Sequence, residues 1–159
     1  MASPLLLDLS AIDLSRVAMG REKIEEVLPH RGQMAMVDAI CHLDPAAMVA
    51  VGWRDVRDDE FWVTGHFPGN PLLPGVLLVE ASAQVCLICY KTCTPEIAGR
   101  LVVFGGIDRV RFRGAVRPGD RLYLVAKMLE QSRRGARAAT QAVAGGRLVY
   151  EGEVLAIVT

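Results

Sequence analysis

The sequence predicts an α+β fold in which an antiparallel sheet of about six strands lies around one long buried helix, and three observations lead there. From Gly75 to about Thr92, GVLLVEASAQVCLICYKT follows a helical pattern and is apolar on nearly every side, so this helix is buried on most faces. Two strand-like runs precede it and a longer β-rich series follows it. Those runs are separated mostly by short turn signals, which favours hairpins and an antiparallel sheet with a single helix packed on it.

The 159 residues suit one domain, expected over residues 21–159, preceded by an arm over residues 1–20 that lacks clean periodicity and drapes on the domain or on a partner. From Gly20, REKIEEVL is rich in helix formers and stops at Pro29, which predicts a short helix. MAMVDAICHL and AAMVAVGWRDV, separated by Asp44-Pro45, predict a hairpin. Pro68, Pro71 and Pro74 then bar regular structure up to the long helix. Beyond Pro95, LVVFGGI is expected as a strand, and RVRFRGAV alternates with Arg109, Arg111 and Arg113 on one face and Val110 and Phe112 on the other. DRLYLVAKMLEQ, ARAATQAVA and RLVYEGEVLAIV complete the series, the last two joined by Gly145-Gly146 as a two-residue hairpin turn.

Hydrophobic residues make up 52% of the chain and the formal charges cancel, so there is no global signature for binding nucleic acid. The cancellation hides an asymmetry. Residues 1–99 carry seven Lys and Arg against thirteen Asp and Glu, a net of −6, and residues 100–159 carry eleven against five, a net of +6. The basic half could steer an acidic partner or simply neutralise the rest of the chain. MASPLLLDLSAIDLSR has no basic region and an apolar run of only three leucines, so no signal peptide and no membrane span are expected, and a cytoplasmic location is the default. Cys86, Cys89 and Cys93 share a helical stripe, but their spacing matches no structural zinc pattern; with Cys41 they read as free buried thiols, and no metal is expected.

GHFPGNPLLPGVLLVEASAQ carries the candidate chemistry. Glu80 is a lone carboxylate among apolar neighbours on the helix, which predicts a raised pKa and a proton available at neutral pH; the bland alternative is a carboxylate hydrogen-bonded to Gln84, one turn later, or to an arginine. His66, in the proline-pinned loop, is a candidate general base, although a single histidine is more often structural. The N–H groups of Gly75 and Val76 open the helix at the positive end of its dipole and could hold a carbonyl oxygen that gains negative charge, or could bond the preceding loop. An acid, a base and an oxyanion site together suit proton abstraction beside a thioester or ketone carbonyl with loss of a β-hydroxyl as water, and that chemistry needs no cofactor. His30, in LPHRG, is expected to cap or hydrogen-bond a loop, and His42 falls within a strand. No HExxH, GxSxG or GxxxxGK[ST] is present.

LPHRGQMAMVDAI, GHFPGNPLLPGVLLVEASAQ and FGGIDRVRFRGAVRPGD, in this order and spacing, closely resemble the FabZ-type β-hydroxyacyl-acyl-carrier-protein dehydratases of fatty acid synthesis, over about residues 22–158. The resemblance implies a hot-dog fold and a homodimer with shared active sites, with assembly into a trimer of dimers left open. It implies reversible dehydration of a β-hydroxyacyl chain on acyl carrier protein to the trans-2-enoyl form. On that resemblance His66 takes the α-proton, Glu80 of the other chain protonates the leaving hydroxyl, the Gly75 amide holds the thioester carbonyl and Gln84 orients the acid. The acyl tail would run in an apolar tunnel, and the acidic carrier protein would dock on arginines among Arg109, Arg111, Arg113, Arg117, Arg133, Arg134 and Arg137. Two features depart from the pattern: Gly32-Gln33-Met34 stands where the family usually has an aromatic and a proline, and the first twenty or so residues extend beyond it. The competing readings are a hot-dog acyl thioesterase and a non-catalytic acyl-thioester-binding protein.

Overall fold

The computed structural model describes residues 3–159. Helix α1 (Arg21–Val27) leads to a hairpin of β1 (Ala39–Asp44) and β2 (Val49–Asp55). Helix α2 (Gly75–Cys93) follows, and then β3 (Val102–Phe112), β4 (Arg121–Gln131), β5 (Gly135–Ala144) and β6 (Arg147–Val158). The six strands form one antiparallel sheet in the order β1-β2-β4-β5-β6-β3. With α2 laid along it, this is the hot-dog arrangement that the sequence predicts.

The packing of α2 follows from its composition. Val85, Ile88, Cys89 and Tyr90 are fully buried against Ile40 and Ala50 of the first hairpin and Leu122, Leu124, Ala138 and Ala142 of the central strands. Small residues on β2 and β5 let the helix approach closely. A Cβ on Gly52 would stand 3.0 Å from Val85 Cγ2, so that position tolerates little more than hydrogen. The helix ends where Thr94 N bonds Tyr90 O and Pro95 cannot extend the ladder. Beside that end the ammonium of Lys91, buried without a carboxylate, donates to the carbonyls of Val27, Ala98 and Arg100, and burial lowers its pKa. Tyr90 is fully buried (0% exposed) yet its hydroxyl donates to Ser132 O at 2.6 Å, tying the helix to the β4–β5 turn. Tyr90→Phe should therefore cost about 1 kcal/mol, read as a lower denaturant midpoint with an unchanged m-value.

Two expectations about β3 are corrected. LVVFGGI and RVRFRGAV are parts of one strand, because β-bulges between Phe104 and Gly106 and between Asp108 and Arg111 carry it through both runs. Arg109, at φ 53°, sits in the second bulge, so the strict arginine alternation does not survive. Arg109 and Arg113 instead pair with Glu153 and Glu151 of β6. The Gly145-Gly146 turn forms as expected, with φ of 54° and 74°, the left-handed pair that a two-residue hairpin requires.

The arm crosses the face of the sheet away from α2. Leu6, Leu7, Leu9, Ile12 and Leu14 pack on Cys41, Val49, Val51 and Val125, residues that alternate with the helix-facing ones along their strands. Gln141 clamps the arm from both sides of its amide, accepting from Leu6 N and donating to Pro4 O. Among the described residues the β3 edge has no such cover. Val103, Phe104, Ile107 and Phe112 are 41–52% exposed on a strand with one neighbour, β6.

Candidate active site

The loop before α2 is folded by its own backbone. Trp62 O accepts from the N–H of Gly65 and of His66, Phe67 and Asn70 exchange both backbone bonds, and Leu72 N donates to His66 O at 2.7 Å. The His66–Phe67 peptide is cis. Arg117 holds the loop from outside, its Nη1 donating to Asn70 Oδ1 at 2.7 Å. His66, half-buried and stacked on Phe67, places Nδ1 2.7 Å from Leu72 O. A carbonyl can only accept, so the hydrogen of the neutral ring is assigned to Nδ1, and the Nε2 lone pair is left for a base.

Leu73 N bonds Val116 O, and Pro74 turns the chain into α2. Neither Gly75 N nor Val76 N makes a hydrogen bond among the described residues, and Val76 is 70% exposed, so two aligned donors stand open at the helix start. The Phe112 ring covers Gly75 so closely that a Cβ there would meet it at 2.8 Å.

Glu80 lies between two apolar cavities. The larger, about 300 Å³, is walled by α2, β3 and β6, and its polar lining is confined to His30, Glu80 and Gln84. The smaller, about 250 Å³, lies between Val76, Val79, Phe104 and Ile107. The carboxylate is not isolated as its helical neighbours suggest. Gln84 Nε2 donates to Glu80 Oε1 at 2.8 Å, and His30 Nε2 stands 3.3 Å from the same oxygen, a long contact. Donation from His30 is the first cause, reinforced by Gln84, that holds the Glu80 carboxyl below the usual carboxylate range against the upward pull of burial. The raised pKa expected from sequence is thus corrected: His30 reaches the site from outside the helix and, with Gln84, outweighs desolvation.

Gln84, 2% exposed, binds in three directions, since Nε2 also donates to Met34 O at 2.7 Å and Oε1 accepts from Met36 N at 2.9 Å. It thereby pins the Gly32-Gln33-Met34 turn to α2 beside Glu80. His30 is the residue that sequence reasoning missed. Its sequence context points to a loop hydrogen-bonder, and nothing in local spacing joins it to a carboxylate fifty positions away. His66 lines neither cavity that Glu80 lines, and no hydrogen bond joins the two within the chain among the described residues. His42 lies on β1 opposite Val51.

The four cysteines are unbridged, and burial pushes the Cys86 thiol up to about 12. Among the described residues no group of three His, Cys, Asp or Glu is placed to hold a metal ion. Helix α2 is long and apolar enough to cross a membrane by composition, but most of it is buried in this core.

Comparison with known proteins agrees with this architecture. Residues 28–153 match the family model described as FabA-like domain. The chain is 42% identical over 132 residues to the 3-hydroxyacyl-[acyl-carrier-protein] dehydratase FabZ of Moorella thermoacetica, covering 83% of this chain and 91% of the relative. It is 43% identical over 139 residues to the FabZ of Chloroflexus aggregans, covering 87% and 94%. Among solved structures, the dehydratase heterocomplex ApeI:P from Xenorhabdus doucetiae superposes with a TM-score of 0.71 at 18% identity, covering 86% of this chain and 90% of that one, a likeness of fold. With its motifs, its hot-dog core and these relatives together, the chain belongs to the FabA-like family and, within it, to the FabZ dehydratases.

Proposed function

We propose that the protein is a cytoplasmic homodimer that reversibly dehydrates β-hydroxyacyl chains on acyl carrier protein to the trans-2-enoyl form, with His66 as base and Glu80 of the other protomer as acid. The observation that carries this reading is Glu80 itself. It is a carboxyl braced on one oxygen, without a donor from the described residues on the other, at the polar end of an otherwise apolar cavity.

The thioester carbonyl accepts hydrogen bonds from Gly75 N–H and Val76 N–H, which stabilise the charge that grows on it as the α-proton is lost. His66 Nε2 takes that proton, and the Cα–H electron pair becomes the new Cα–Cβ double bond. The Cβ–O bond breaks with its electrons on oxygen, Glu80 gives that oxygen its proton, and water departs. In the hydration direction the same carboxylate activates water and the imidazolium returns the α-proton. An acyl tail filling the apolar cavity displaces water around Glu80 and raises its pKa, which loads the acid when substrate is present.

The uncovered apolar β3 edge supports a second copy as partner, as does the separation of His66 from the Glu80 cavities within one chain. The arginines divide usefully. Arg109, Arg113, Arg133 and Arg137 are paired with glutamates and Arg117 is occupied by the His66 loop, whereas Arg111 and Arg134 form no ion pair among the described residues, Arg111 acting on Glu151 across the ladder only at longer range. Arg111 and Arg134 are therefore the favoured docking charges for an acidic carrier.

Incubating the purified protein with β-hydroxyacyl-, enoyl- and saturated acyl-carrier-protein separately tests the reading. Interconversion of the first two without release of free thiol is expected, and His66→Ala should lower kcat by about 100- to 10,000-fold with its fold intact. Thiol release from the saturated substrate would make it a thioesterase, and binding without turnover an acyl-thioester-binding protein.

A further inference from the structure

We infer that His30 is a positioning residue that acts with Gln84 to confine the transferable proton of Glu80 to Oε2 and to receive the negative charge left on the carboxylate. This inference rests on the dehydratase reading and adds a residue to it. Its basis is convergence, because Gln84 Nε2 donates to Oε1 at 2.8 Å, His30 Nε2 from a different part of the chain stands 3.3 Å from the same oxygen, and no hydrogen bond is made to Oε2 among the described residues. A proton on Oε1 would face the Gln84 N–H and lie against His30 Nε2. On Oε2 it meets neither.

The ring of His30 is oriented by what it lacks. Its Nδ1 is buried with no hydrogen-bond partner among the described residues, and a proton placed there would find no acceptor among them. A buried N–H left unmade costs more than a bare lone pair, so the neutral ring carries its hydrogen on Nε2, toward Glu80. The loop that holds His30 is fixed at both ends. Arg31 bonds the carbonyls of Leu28, His30 and Glu25, and Gln84 clasps Met34 and Met36. The acid is thus bracketed by residues 28–36 on one side and by its own helix on the other.

Glu80 is a neutral acid before the hydroxyl leaves and an anion afterwards, so a donor on Oε1 binds more strongly as the reaction proceeds. That difference is what accelerates a step. The 3.3 Å contact of the free protein is of the kind that shortens once substrate closes the site. The other groups facing Glu80 do not compete. Cys86 on α2 is a thiol that burial keeps protonated, and the lining from β3 and β6 (Val102 to Phe104, Ile107, Val154 to Ala156) is apolar or backbone. Among the described residues of one chain, His30 is the only titratable group paired with Glu80.

The test compares wild type, His30→Leu and His30→Gln as full-length proteins, with kcat and KM on β-hydroxyacyl-acyl-carrier-protein and the Glu80 carboxyl titrated by its 13C shift, identified by its loss in Glu80→Gln. Removing a donor to the carboxylate must raise the pKa of Glu80, so His30→Leu should titrate at higher pH than wild type. It should also lose about 10- to 100-fold in kcat with KM little changed, and His30→Gln, whose amide restores an N–H, should recover much of both. An active wild type whose Glu80 titration and kcat survive His30→Leu overturns the inference and spares the dehydratase. A fall in Tm alone also overturns it, by reducing His30 to packing. An inactive wild type overturns the dehydratase reading instead, and the titration then decides the contact between His30 and Glu80 by itself.

Discussion

Glu80→Gln is expected to lower kcat for dehydration by about 100- to 10,000-fold, because the amide fills the same space but has no proton acidic enough to give the departing hydroxyl. Stability should change little, since a glutamine can place its amide oxygen where Oε1 stands and accept from Gln84 Nε2 as the carboxylate does. KM should stay within a few-fold, as the acyl tail is held by the apolar cavity and not by the acid. A site shared between protomers, as proposed, allows a stronger form of the experiment. If His66 and Glu80 act from opposite protomers, a mixed dimer of His66→Ala and Glu80→Gln chains holds one site with both native groups and one with neither. Random reassociation of equal amounts of the two inactive variants should then restore about a quarter of wild-type activity, as the symmetry of a two-fold dimer dictates. No recovery, with mixed dimers demonstrated by mass, would remove the cross-protomer assignment.

Gln84→Leu should damage stability and activity together. Leucine matches the volume but abandons three hydrogen bonds, to Glu80, Met34 O and Met36 N. Met36 is buried, so its orphaned N–H alone costs about 1–3 kcal/mol. In a chain of this size each kcal/mol shifts Tm by roughly 2–4 °C, and calorimetry should register the fall. The same change strips one of the two donors from Oε1 and frees the loop that carries the other, so kcat should drop more than in His30→Leu. A variant that melts early but turns over normally would mean that Gln84 serves the fold and not the acid.

The long helix and the strands around it were legible because their signals are local. Leu78, Val85, Ile88 and Cys89 report burial through their spacing, Gly145-Gly146 reports a left-handed turn by needing no side chain, and Pro95 reports the helix end by lacking an N–H. The pairing of Glu80 with Gln84 was legible for the same reason, as four residues make one helical turn. Local rules misled at β3, where LVVFGGI and RVRFRGAV read as two runs parted at Asp108 and the parting is a bulge between Asp108 and Arg111. A bulge costs one extra residue and is absorbed when a neighbour such as β6 supplies the ladder on one side.

The amino-acid sequence by itself determined the fold class and the family and put forward His66, Gly75, Glu80 and Gln84 as the candidate site, because those rest on period, turn chemistry and a motif contiguous in the chain. Only the tertiary structure brought His30 to Glu80 and with it the direction in which that carboxyl's pKa moves. A carboxyl's pKa is set by the donors that surround it in space, and here one of them arrives from a loop fifty residues earlier, held against α2 by hydrogen bonds that no spacing along the chain could announce.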